Sequence, residues 1–235
     1  MRILLVSLTA LLLSVSFSIA QNADAELWTA ISFQKRIVKG LSLQIEEQLR
    51  IDNNISDVKS VFTQLGVTYR FNKHFKSRIS YRLGNQPDLN GGRPYNRFIT
   101  DFTFRYKKKP FIFYLRGRYQ NETDELNLDY TARANEQYWR TRLMVKFDLD
   151  KAVQPYIGSE IYNQLNNPTG NVADTYRFYL GIEYSMSKNQ EVKLGYILDK
   201  PLNTRNPLIA HIWAINYSFV IPNRKAGKEA EPKMQ

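Results

Sequence analysis

After residue 25 the chain alternates, position by position, between apolar and polar side chains in segments of about ten residues. Over 41–51, Leu41, Leu43, Ile45, Leu49 and Ile51 fall on one face and Ser42, Gln44, Glu46, Gln48 and Arg50 on the other, because successive strand residues point to opposite sides. Only Glu47 breaks the apolar face. The alternation recurs near 61–71, 75–83, 97–106, 111–120, 139–147, 156–164, 176–184, 192–199 and 213–219. Amphipathic strands of this length are those that cross an outer membrane. The pattern predicts an all-β chain forming an antiparallel transmembrane β-barrel of ten to twelve strands. An eleventh segment, Leu27 to Arg36, is weaker and makes the count odd. Single-chain bacterial barrels have even counts. Either the first segment therefore sits in the lumen, or another strand lies within the loop from 121 to 135.

Connections alternate in length. Short ones fall at 72–74, 107–110, 149–153 and 186–190, and long ones at 52–59, 85–96, 121–135, 163–174 and 200–207. Short periplasmic turns and long outer loops give this signature. Charge sorts the same way. Lys73, Lys107, Lys108, Lys109, Lys151 and Lys188 sit in short turns, and Asp52, Asp57, Asp88, Glu122, Asp124, Glu125, Asp129 and Asp174 in long loops.

Alternation alone does not say which face points out; a lipocalin-like soluble barrel reverses it. Aromatic residues flanking the short turns, among them Tyr69, Phe71, Phe75, Tyr106, Phe111, Phe147, Tyr184 and Phe219, resemble an interfacial girdle. The polar face carries arginine rather than lysine, which suits bidentate pairing in a crowded interior. The last strand ends Tyr217-Ser218-Phe219, similar to the aromatic C-terminal strand recognised in barrel assembly. All three favour an apolar exterior and a charged lumen.

Residues 1–20 read as a signal peptide: Arg2, an apolar run from Ile3 to Phe17, then the small-residue ending Ser18-Ile19-Ala20. The barrel is expected over 21–222 and a polar tail over 223–235. The chain has no cysteine, hence no disulfide and no thiolate metal site. The net charge of +11 does not point to nucleic acid, because no binding motif accompanies it and export is expected. The expected partners are outer-membrane lipid, the barrel-assembly machinery and small anions. No cofactor or metal is expected. Asp124, Glu125 and Asp129 lack the spacing of a calcium loop, and Gly91-Gly92 is loop punctuation with no helix to follow.

The candidate lumen network comprises Glu46, Arg50, Arg82, Arg97, Asp101, Arg116, Arg118, Arg140, Arg142, Glu160 and Arg177. Arg50, Arg82, Arg97, Arg118, Arg140 and Arg177 fall in the outer half; Glu46, Asp101, Arg116, Arg142 and Glu160 fall near the middle. Such a lumen is either structurally filled by ion pairs or a small anion-preferring channel. Two rival classes are an outer-membrane lipid-modifying enzyme and a soluble periplasmic barrel holding an apolar ligand. The first has only His74 and His211 to draw on, with no serine constellation to join them, so no enzyme is expected.

The runs Glu46-Glu47-Gln48-Leu49-Arg50, Tyr81-Arg82, Arg116-Gly117-Arg118, Glu136 to Arg142, Glu160-Ile161-Tyr162-Asn163 and Tyr176-Arg177, with Trp28 near the mature start, occur in an order that resembles the domain of unknown function 2490 family of Gram-negative exported proteins. The resemblance covers most of the mature chain and implies an outer-membrane barrel. It brings no activity, cofactor or substrate.

Overall fold

A computed structural model of the protein describes residues 23–87, 92–123, 135–149, 151–168, 170 and 172–222. They form eleven strands: β1 (Ala23–Val38), β2 (Leu41–Asp52), β3 (Asp57–Arg70), β4 (Phe75–Gln86), β5 (Arg93–Lys108), β6 (Phe111–Thr123), β7 (Glu136–Phe147), β8 (Val153–Gln164), β9 (Val172–Ser187), β10 (Gln190–Pro201) and β11 (Ile209–Ile221). Each pairs with its sequence neighbours, and β1 closes the sheet against β11 as one barrel. Every seam is antiparallel except the last: β1 and β11 run parallel, from Ala23 opposite Ile209 to Lys35 opposite Ile221. The expected signal peptide, the tail, and Asp88, Asp124, Glu125 and Asp129 lie outside the described residues.

The faces are unambiguous. Leu65, Val67, Ile79, Leu115, Leu143 and Leu180 are exposed, whereas Arg82, Asp101, Arg140 and Glu160 are buried. Apolar side chains cover the outside and charged ones fill the inside, which removes the soluble barrel with an apolar interior. This is the arrangement of a transmembrane barrel: the closed ladder satisfies the backbone where no water is available, and the outer wall meets lipid. Strands of 12 to 16 residues exceed the nine to eleven that a tilted strand needs to cross, at about 3.3 Å per residue. Aromatic rings form chains at the short-turn rim. Tyr69 and Phe71 lie 4.8 Å apart, Phe71 and Phe75 5.2 Å, Phe111 and Phe147 5.4 Å, and Phe33 and Phe219 6.3 Å across the closing seam.

Several sequence expectations are corrected. The Leu27–Arg36 segment is neither weak nor in the lumen: it is the middle of β1, a full wall strand, and the count among the described residues is odd; residues 124–134, within the alternative site for another strand, lie outside them. The loop expected over 52–59 is a turn at 53–56, and Lys59 belongs to β3. Asn53, Asn54 and Ile55 all have positive φ, which disfavours β-branched Ile55 most. The turn holds because Asp24 accepts the Asn53 and Asn54 amides at 3.2 and 2.8 Å, and the Ala25 carbonyl accepts Ile55 N–H at 3.0 Å. The start of β1 is thereby tied to its neighbouring hairpin. Glu122 and Asp174 are strand residues, not loop acids. Glu47, unexplained by alternation, accepts a hydrogen bond from Thr63 Oγ1 at 2.9 Å on the outer face.

The lumen is not wholly polar. Phe62, Ile99, Ile112, Met144, Ile197 and Ile212 are buried on the inner face. Trp28, Met144, Tyr156, Tyr179, Ile197, Ile212 and Ala214 form one cluster against the β8–β11 wall. Tyr156 lies across β9 and β10 where both present glycine; a Cβ at Gly181 or Gly195 would stand 2.4 or 2.5 Å from its hydroxyl.

Placing a charge on the outer wall tests this orientation. Leu65→Arg is expected to lower unfolding free energy in lipid vesicles by roughly 2–4 kcal/mol, read by urea titration; a change within experimental error would contradict a lipid-facing wall.

Candidate functional site

The lumen contains two main cavities. One, of about 550 Å³, opens toward the rim that carries the 53–56 turn and the 202–208 loop, and reaches Glu136 and Asp174 at the strand ends. The other, of about 670 Å³, opens toward the short-turn rim and reaches Lys39, Asn72 and Lys73. Gln44, Arg116, Arg118 and Arg142 line both, so these side chains form the belt that separates them.

Strand register builds the belt. Asp101 on β5 faces Arg78 on β4 and Arg118 on β6. Arg118 donates to it from Nε and Nη2 at 2.6 and 2.9 Å, a bidentate fork, while Arg78 Nε stands at 3.4 Å. Arg116 and Arg118 on β6 face Arg142 and Arg140 on β7. Like charges directly opposite repel, and Glu160 on β8 answers them. It accepts from Arg116 at 2.5 Å, from Arg140 Nε at 3.1 Å and from the Tyr179 hydroxyl at 2.5 Å. Glu160 is 1% exposed, so its charge rests on these donors alone. Arg142 lies beside this group, 5.7 Å from the Tyr179 ring, with no carboxylate in ion-pair reach among the described residues.

The remaining candidates line the outer cavity. Arg97 pairs with Glu122 across β5 and β6. Arg177 on β9 donates to Asp199 on β10 from Nε and Nη2 at 2.8 and 2.5 Å. Arg50 and Arg82 have amide partners instead, Gln48 at 3.4 Å and Gln64 at 2.8 and 3.1 Å. Glu46 lines the same cavity and, among the described residues, accepts only from Gln44, at 3.5 Å. Arg118, expected in the outer half, stands in the belt with Asp101.

Some inner charges were left out of the sequence candidates. Glu183 holds both Lys146 and Lys193, the latter at 2.5 Å. Glu26 accepts from Trp28 Nε1 at 2.7 Å and from Lys59 at 2.5 Å. Each obeys the same parity as the chosen residues: Glu183 already falls on the polar face of the 176–184 alternation, and carrying the alternation to the start of β1 finds Glu26. The short-turn cavity is one-sided in charge: Arg36, Lys39, Arg70, Lys73, Lys76, Arg78, Arg116, Arg118 and Arg142 line it, against Asp101 alone.

Little here suits covalent chemistry. His211 sits on the outer face, Nδ1 2.6 Å from the Tyr196 hydroxyl, and no serine or carboxylate bonds to it among the described residues. His74 lies in a short turn with Nδ1 2.9 Å from the Arg105 carbonyl. No cluster of three metal-ligating side chains occurs among the described residues.

Closed wall, apolar exterior and charged interior define an outer-membrane-type β-barrel with a two-chambered lumen. The chain belongs to the family described as Protein of unknown function (DUF2490), whose model matches residues 25–205. No curated protein matches it. Solved structures similar to it include the outer-membrane expressed OmpT of Vibrio cholerae (13% identity, TM-score 0.39), covering 68% of this chain and 54% of that one. The NanC porin is similar at 12% identity and TM-score 0.43, with 72% and 86% covered. OccAB4 of Acinetobacter baumannii is similar at 15% identity and TM-score 0.36, with 75% and 51% covered. The chain thus spans about half the length of two of these three.

Removing Glu160 leaves Arg116 and Arg140 without their shared carboxylate. Glu160→Ala is expected to destabilise the folded barrel by roughly 3–5 kcal/mol, measured by urea unfolding. Asp199→Ala is expected to cost less, because Arg177 also rests near the Trp28 and Tyr162 rings. Equal losses would show that the belt is not the keystone of the network.

Proposed function

We propose that the protein is an outer-membrane channel that prefers small anions, with the arginine belt as its selectivity element. The observation that carries this reading is the unbalanced lining of the short-turn cavity, which continues through Arg116, Arg118 and Arg142 into the outer cavity. A cationic surface in a low-dielectric tube focuses potential and raises the local concentration of anions. Arg142 faces both chambers and, among the described residues, makes no ion pair of its own; Glu160, opposite it on β8, is engaged by Arg116 and Arg140.

A second reading, a lumen filled for rigidity, has its own support in the Asp101 and Glu160 ion pairs and the Tyr156 cluster. Planar-bilayer recording separates the two. Under a KCl gradient the reversal potential is expected to show anion preference, and Arg142→Gln to reduce that preference without unfolding the barrel. Cation preference, or silence from protein shown to be folded, would reject the anion channel.

Outer-membrane residence, export by cleavage after Ala20 and insertion by the assembly machinery complete the proposal. The lipid-modifying alternative rests on His211 alone, and a His211→Ala variant is expected to leave any conductance unchanged.

A further inference from the structure

Guanidinium and aromatic groups alternate around the outer cavity. Arg82 lies 3.6 Å from the Phe62 ring centre, and Arg50 lies 5.1 Å from the same ring and 3.9 Å from that of Trp28. Arg177 is 5.2 Å from Trp28 and 4.8 Å from Tyr162, which Arg140 approaches to 3.9 Å. Seven side chains from seven strands thus form one unbroken series. Between β1 and β9 it bridges β10 and β11, whose inner positions there include the small Ala210 and Ala214.

The two ends of the series differ. The donors of Arg140 go to Glu160 and Gln120, and those of Arg177 to Asp199. Arg82 gives Nε and Nη2 to Gln64, but its Nη1 has no partner although the residue is only 5% exposed. Arg50 has one long bond to Gln48, and its buried Nε is unpartnered. No carboxylate stands within ion-pair reach of either among the described residues. The Tyr162 hydroxyl, further along the series, is buried and unpartnered too.

An aromatic face compensates a cation through its quadrupole without using any N–H donor. A carboxylate uses the donors. Arg50 and Arg82, held against Phe62 and Trp28, are therefore fixed in place and still carry unspent donors. Buried donors left this way are costly until something accepts from them. A planar oxyanion group answers such leftover guanidinium donors with short, charge-assisted bonds. The cavity, at about 550 Å³, is of small-molecule size, and its wall is mostly polar.

We propose that Arg50 and Arg82, flanking Phe62 in the outer cavity, form a saturable binding site for the carboxylate or phosphate group of a small hydrophilic organic anion. The site rests on the reading above only in that small anions must reach the lumen; it needs no current to pass. Trp28, stacked near Arg50, reports occupancy. In folded full-length barrel carrying Trp139→Phe and Trp213→Phe, emission is expected to change saturably with glucuronate or glucose 6-phosphate and not with glucose. The two sugar acids distinguish a carboxylate site from a phosphate site.

Arg82→Lys and Arg50→Lys keep the charge and lose the remaining guanidinium donors, so each is expected to weaken binding about tenfold or more. Folding of every variant is checked by heat-modifiable mobility. No saturable change with either sugar acid, binding of inorganic phosphate alone, or unaltered affinity in both lysine variants would overturn the site. Anion-selective current without saturable binding would keep the channel and remove this inference; binding without current would do the reverse.

Discussion

An odd number of strands in a meander leaves the first and last running the same way, so this barrel closes only through a parallel seam. Closure is compulsory in lipid, where an open edge would strand backbone donors and acceptors at several kcal/mol each. The seam between β1 and β11 therefore carries the architecture. It is long, running from Ala23 opposite Ile209 to Lys35 opposite Ile221, and is reinforced by a Ser32–Ser218 hydrogen bond at 3.0 Å and the Phe33–Phe219 ring contact. Asp24 fastens the start of β1 to the 53–56 turn. The same strand delivers Trp28 and Glu26 to the lumen. Trp28 then joins Arg50 on β2 to Arg177 on β9, so the element that closes the wall also links the two halves of the outer cavity.

Once the wall faces lipid outward, the enclosed arginines need compensation from within. Three kinds occur. Asp101, Glu160, Glu122 and Asp199 supply charge. Gln64, Gln48 and Gln120 supply acceptors without charge. Phe62, Trp28, Tyr162 and Tyr179 supply ring faces without acceptors. A buried ion pair seldom stabilises a fold much by itself. The mixture therefore reads as a way to keep positive potential in the lumen while limiting the desolvation it costs.

Period-two alternation made ten of the strands and the inward residues of each legible, because face assignment needs only parity. Leu41 to Ile51 is an example: Ser42, Gln44, Glu46, Gln48 and Arg50 all face inward as parity predicts. Parity does not say which side of the wall is wet, and it does not give partners. Arg118 finds Asp101 through the register of β5 against β6, across a turn whose length must be known first. The 27–36 strand is legible, but its place in the wall is not, because an expectation of even strand number competes with its pattern. Phe62, Ile112 and Ile212 went unnoticed because an apolar residue on a polar face looks like noise until a lumen has to be filled. The family resemblance was legible from short ordered motifs, but those motifs carry lumen arginines and aromatics without saying how they stack.

The compensation is also unevenly spread around the barrel, and that unevenness gives the lumen a direction. Carboxylates that hold arginines or lysines sit on β1, β5, β6, β8, β9 and β10, as Glu26, Asp101, Glu122, Glu160, Glu183 and Asp199, and the apolar cluster packs against the β8–β11 wall. On β2 and β3 the inward partners are the amides Gln44, Gln48 and Gln64. The one acid there facing the outer cavity with no cation is Glu46, on the same face of β2 as Arg50 and nearer the belt. In the proposed channel, an anion entering from the outer side would meet its least neutralised cations along β2 to β4, at Arg50 and Arg82. Glu46 repels it from going straight down that wall, and Arg118 and Arg142 offer the way around. Passage through the proposed channel would be a lateral step from an amide-lined wall to the arginine belt and then into the cationic short-turn chamber, where Asp101 is the only acid among the described lining residues.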